Sequence, residues 1–196
     1  MSFVRTLTLA DVAVPRAGLL RNALLIVGAS VLTALAAQIA IPVPWSPVPL
    51  TGQTFAVLLS GAVLGARRAF LAQALYLIEG AAGLPVFAGG AAGLATLAGP
   101  TGGYLAAFPL AAALVGALAE RGWDRHFAPM LAAMLLGSAV IFALGLAQLS
   151  RFVPGQQLLA AGLLPFVPGD LVKSVLASLA FPFAWRFARE RGGIGA

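Results

Sequence analysis

The chain has 196 residues, 61% of them hydrophobic and 9% charged, with a net charge of +6. Soluble domains carry roughly 25% charged residues, so this supply is too small to cover a water-facing surface, and lipid must be the solvent for much of it. Cys is absent, which excludes disulfides, thiolate metal sites and Cys nucleophiles, and the lone His126 cannot build a His-rich metal site. The positive charge does not point to nucleic acid, because the arginines stand in small groups between apolar stretches with no basic face interleaved by aromatics.

The chain opens on residues 1–18, which carry Arg5, Asp11, Pro15 and Arg16 and no apolar core ending in a cleavage site. They read as a short amphipathic or disordered lead-in on the membrane surface. A spanning helix needs about 20 mostly apolar residues. The first such stretch is 19–41, stopping at the Pro-rich run 42–49. A short second span covers 53–66 and ends at Arg67 and Arg68. The third covers 69–83, and a Gly-rich segment follows. The fourth, 104–119, ends in a charged group containing Glu120, Arg121, Asp124 and Arg125. The fifth is 129–149, and a polar, Gly- and Pro-containing stretch leads to the sixth, 170–187. With no internal repeat and no linker, residues 1–196 read as one all-α membrane domain with six transmembrane helices.

Alternating these spans places Arg5, Arg16, Arg21, Arg67, Arg68, Arg121, Arg125, Arg186, Arg189 and Arg191 on one side. Positively charged loops stay in the cytoplasm, so both termini are expected inside. The three opposite segments are long, nearly uncharged and rich in Gly and Pro. They read either as caps folded over a ligand or as turns resting on lipid, with the caps favoured.

Charges within spans are costly and therefore functional suspects. Asp170 and Lys173, three residues apart on one helix face, could form a pair or jointly hold a polar ligand. Asp170 follows Pro168-Gly169 and reads as a helix N-cap. Glu79 closes the third span, either as an interfacial carboxylate or as a ligand acceptor. Thr51, Gln53 and Thr54 head the second span, where the threonines could merely cap it and Gln53 offers an amide. Tyr76, Phe87 and Tyr104 stand where an aromatic belt would, or could stack on a flat ring. Glycines such as Gly90 allow tight turns or close backbone approach to a ligand. No Lys-Ser/Thr follows the Gly-rich runs, which excludes a phosphate-binding P-loop. Arg151 is the single outer-loop arginine and could meet an anionic tail. Ala29, Thr33 and Ala37, at four-residue spacing, either pack internally or form a docking face for a partner helix.

Four runs resemble the BioY family of biotin-specific S components of energy-coupling-factor transporters. They are Pro47-Val48-Pro49-Leu50-Thr51-Gly52-Gln53-Thr54, Gly83-Leu84-Pro85-Val86-Phe87-Ala88-Gly89-Gly90, Gly99-Pro100-Thr101-Gly102-Gly103-Tyr104 and Pro165-Phe166-Val167-Pro168-Gly169-Asp170-Leu171-Val172-Lys173. The resemblance covers roughly residues 20–185 in order and spacing. It implies a six-helix bundle in the bacterial cytoplasmic membrane with an outward-facing vitamin site, no enzymatic activity and biotin as ligand without a further cofactor. It also implies a transmembrane coupling subunit and cytoplasmic ATPases as partners, docked through small residues of the first helix. Some relatives carry a polar or basic residue where Ala91 stands here, which leaves Arg151, Lys173 or backbone N–H groups for the biotin carboxylate. A membrane enzyme is disfavoured because the six acids are dispersed, and a channel because no ring of charge is visible. The same architecture serving another vitamin is the nearest alternative.

Overall fold

The computed structural model describes residues 7–14 and 18–192, the last four by backbone alone. Arg5, Arg16 and the side chains of Arg189 and Arg191, counted above, lie outside the described residues. The architecture is all-α, and six of its helices have twelve residues or more: α2 (Leu19–Gln38), α3 (Gln53–Leu64), α4 (Ala66–Ala81), α6 (Gly102–Ala119), α7 (Phe127–Leu149) and α9 (Val167–Gly192). Three five-residue α-helices accompany them among the described residues: α1 (Leu9–Ala13), α5 (Leu94–Ala98) and α8 (Leu158–Gly162). By length and composition α2, α6, α7 and the stretch ending in α9 can each cross a membrane, while α3 is a shorter apolar helix. The chain is thus a multi-pass membrane protein.

Helix α6 is the axis. Ala, Leu and Gly make up most of its length, and most of its residues are buried against α3, α4 and α7. Small residues let the backbones approach. A Cβ on Gly61 would meet the Ala112 carbonyl and Val115, and one on Gly116 would strike the backbone of Gly65 and Ala66. Gly65 itself has φ +80°, a left-handed conformation that favours glycine, and it turns α3 directly into α4. By contrast α2 and α9 leave Leu20, Leu24, Val31, Leu35, Val172 and Leu176 exposed, apolar faces that suit contact with lipid or with another membrane helix.

The first span ends earlier than its composition suggests. Pro42 disfavours helix at the residue before it, and Ala40–Ile41 instead pairs antiparallel with Leu50–Thr51. The Gly52 N–H donates to the Ala36 and Ile39 carbonyls and so satisfies the end of α2. The sixth helix starts earlier than expected. Pro168 sits in the first turn of α9, where a missing N–H costs nothing, and the Asp170 N–H donates to the Phe166 carbonyl at 2.9 Å. Asp170 is therefore a first-turn residue and not the N-cap. At the other end, part of the expected lead-in is ordered. Thr8 and Asp11 form a capping box on α1, which packs on α3 and α9.

Candidate binding site

At the end of the bundle opposite Arg68, Arg121 and Arg125, the three Gly- and Pro-rich segments fold over a cavity of about 260 Å³. They are tied to each other and to the helices. Ser46 Oγ donates to the Ala161 carbonyl at 2.6 Å, joining the first segment to the third. Gln148 Nε2 donates to the Leu97 and Gly99 carbonyls, fixing the second segment on α7. The cap reading of these segments matches this arrangement.

One part of the cavity is polar. Lys173 Nζ donates to the Thr51 carbonyl at 2.9 Å, which leaves two ammonium protons for a ligand. Asp170 is buried one helical turn away, with Ser138 of α7 beside it. The ion pairs among the described residues join Asp11 to Arg21 and Arg68. Asp170 and Lys173 make no direct bridge, because the Thr51 carbonyl holds the ammonium instead. Gln53 completes the set. Its Nε2 donates to Tyr76 Oη at 2.5 Å, and Tyr76 Oη donates to the Val86 carbonyl at 3.0 Å. That chain fixes which end of the amide is oxygen. Thr51 Oγ1 donates to this oxygen at 3.1 Å, and one acceptor position remains.

The rest of the cavity is apolar and aromatic. Phe87, Tyr104, Phe108, Phe142 and Phe166 line it, with Pro47 and Pro49. The rings brace one another: Tyr76 meets Phe87 edge-on with centroids 5.5 Å apart, and Phe166 lies 6.5 Å from Tyr104 and 6.4 Å from Phe142. Tyr104 Oη is engaged by donation to the Gly162 carbonyl at 2.8 Å, so its ring, not its hydroxyl, faces the cavity wall.

Of the residues singled out in the sequence, the structure brings Thr51, Gln53, Phe87, Tyr104, Asp170 and Lys173 together at the cavity. Tyr76 is fully buried behind Gln53, to which it is hydrogen-bonded. Glu79 points elsewhere, accepting from Ser30 Oγ of α2 at 2.5 Å. Gly90, with φ +78°, serves the turn between Phe87 and Ala91, whose residues Ala88 and Ala91 line the cavity in its place. Arg151 is exposed in the turn after α7 and away from the lining. Ala29, Thr33 and Ala37 are buried within the chain, where α2 packs on α4 and α3. In this structure they face α4 and α3, the internal-packing alternative. Sequence reasoning missed Thr96, Phe108, Phe142 and Ser138. Spacing carried a signal: Tyr104 with Phe108, and Ser138 with Phe142, are four apart and share a helix face in otherwise aliphatic segments.

A model of the BioY family matches residues 6–190. The chain belongs to the BioY family. A probable biotin transporter BioY from Pyrococcus horikoshii is 43% identical over 146 residues, covering 74% of this chain and 85% of the relative. The biotin transporter BioY of Thermotoga maritima is 44% identical over 140 residues, 71% of this chain and 82% of the relative. That of Rhizobium etli is 38% identical over 160 residues, 77% and 85%. In three dimensions this BioY-family chain superposes on the S-component for biotin from an ECF-type ABC transporter with a TM-score of 0.73. That match has 24% identity and covers 85% of this chain and 92% of that one. The likeness establishes the shared fold.

Proposed function

We propose that the chain is the biotin-binding S component of an energy-coupling-factor transporter, residing in the cytoplasmic membrane with the cavity facing outward. The observation that carries this reading is the pairing of two acceptors, Asp170 and Gln53, and one cation, Lys173, with an aromatic-walled cavity. Biotin has the complementary inventory: a flat fused ring with two ureido N–H donors, a ureido carbonyl, and a carboxylate on an aliphatic tail. The N–H groups would donate to the Asp170 carboxylate and to the open lone pair of Gln53. Lys173 would donate a free proton to a ligand oxygen, and the rings would exclude water from these bonds and so strengthen them.

Family relationship and the absence of a nucleotide-binding motif in this chain support energisation by separate subunits, a transmembrane coupling subunit and cytoplasmic ATPases. The exposed aliphatic face of α2, with Leu24, Val31 and Leu35, is the surface that remains for lipid or that partner. The deciding experiment is purification in mild detergent, followed by mass spectrometry of released small molecules and titration with biotin. Bound biotin and saturable high-affinity titration are expected. A different vitamin in the preparation, together with no biotin affinity, would overturn the assignment.

A further inference from the structure

A second cavity, about 320 Å³, lies at the arginine-rich end, bordered by Asp11, Arg21, Asn22, Arg67, Arg68 and Glu120. It shares no residue with the aromatic cavity. Its acids are turned into the protein. The Asp11 carboxylate accepts from Arg68 at 2.8 and 3.0 Å, from Arg21 at 3.3 Å and from Thr8 Oγ1 at 2.7 Å. Burial pushes its pKa up, yet these bonds hold it at about 2, so it is a permanent and already satisfied anion. Glu120 Oε1 accepts from the Ala66 N–H at 3.0 Å.

The donors are not all satisfied. Arg21 Nε is buried with no hydrogen-bond partner among the described residues. Asn22 accepts from Arg21 through its oxygen, and its amide nitrogen has no acceptor among the described residues. The Arg67 guanidinium, bordering the same cavity, has no ion pair among the described residues. A guanidinium without its full set of acceptors is unfavourable, and a phosphate group, with several oxygens able to accept from more than one guanidinium, fits the chemistry of this arginine-lined cavity. Leu19, Leu20 and Leu24 of α2, exposed by 88%, 74% and 64%, flank the arginine-bearing end of this helix. Acyl chains attached to such a phosphate would lie along that strip, and basic cavities between helix ends are suited to acidic headgroups.

We propose that this cavity binds a phosphate-bearing anion and that its carrier is an acidic phospholipid of the adjoining leaflet. The proposal does not depend on the identity of the vitamin. Native mass spectrometry and thermal melting of the detergent-purified chain test it, with phosphatidylglycerol, phosphatidylcholine or inorganic phosphate added at matched ionic strength. Phosphatidylglycerol should be retained in preference to phosphatidylcholine and should raise the melting temperature. Arg67→Gln should lower that retention at least about threefold while vitamin binding is unchanged. Arg21→Lys, which keeps a cation beside Asp11 but removes the Nε–H, should weaken retention in the same direction. Inorganic phosphate reproducing the thermal shift, with the shift lost in Arg67→Gln, would support the site with a free anion as its ligand. Equal retention of the two lipids with no effect of phosphate would overturn the proposal, and so would phosphatidylglycerol retention unaltered in both variants.

Discussion

Lys173 and Asp170 sit in the first two turns of α9, where a cation faces the unfavourable end of the helix dipole. The Thr51 carbonyl offsets this by accepting from the ammonium, and that contact also fixes the first cap segment over the cavity. Removing either charge should weaken biotin binding at least about tenfold, since a hydrogen bond to a charged group contributes roughly 1.5–3 kcal/mol. Titration of Lys173→Ala and Asp170→Asn checks this, and unchanged affinity in both would remove them from the site. Tyr76 is a subtler case, because it meets the cavity only through Gln53. Tyr76→Phe keeps the ring but frees the Gln53 amide. Affinity should fall by roughly two- to tenfold, the value of one neutral hydrogen bond. A loss confined to ligands bearing the ureido group, with the melting temperature held, would distinguish lost orientation from lost packing.

Between elements, the turn that joins α6 to α7 carries a polar lock. Asp124 is fully buried, accepts from Trp185 Nε1 of α9 at 2.5 Å through one oxygen, and leaves the other without a partner among the described residues. The Arg125 guanidinium lies 4.7 Å from the Trp185 ring. Burial pushes the Asp124 carboxyl above its ordinary value of 3.8, and the Trp185 hydrogen bond and the Arg125 charge only partly oppose it. A folded-state pKa above the unfolded one means that stability is full below 3.8 and declines as pH rises through the raised value. Asp124→Asn, which stays neutral and keeps an acceptor for Trp185, should therefore melt higher than the parent chain at pH 7. The gap should narrow as the pH falls to about 4. Melting curves at the two pH values measure this, and an Asn variant less stable at pH 7 would contradict it.

Over the whole molecule, charge and cavity occupy opposite ends. Arg67, Arg68, Arg121 and Arg125 gather at one end, and the capped cavity lies at the other. The asymmetry of positive charge predicts that the arginine end faces the cytoplasm. Single cysteines introduced into the chain, which has none of its own, test this with a membrane-impermeant maleimide. A cysteine at Trp45, exposed by 67% in the cap, should label in intact cells. One at Arg121 should label only after permeabilisation, and the reverse pattern would invert the proposed orientation.

What the sequence determined by itself was the solvent and the rough course of the helices. Six apolar stretches separated by Pro, Gly and Arg correspond to the six long helices of the structure, because hydrophobic length and helix breakers act locally. The Asp170–Lys173 spacing marked one side of the polar site because residues three apart share a helix face, and the Thr51-Gly52-Gln53 run marked the other because polar side chains stood out at the head of an apolar helix. Tertiary structure alone decided what met them. The row Ala29, Thr33 and Ala37 suits an outer or an inner face equally well, and only the packing of α2 on α4 and α3 turned it inward. Glu79 reached Ser30 of α2 rather than the cavity, and Lys173 bound a carbonyl 122 positions away rather than Asp170. Such choices depend on which side chains from distant segments arrive at the same depth. In a lipid-covered bundle backbone polar groups must be satisfied within the protein and most buried side chains find partners there too, and local pattern does not record which partner that will be.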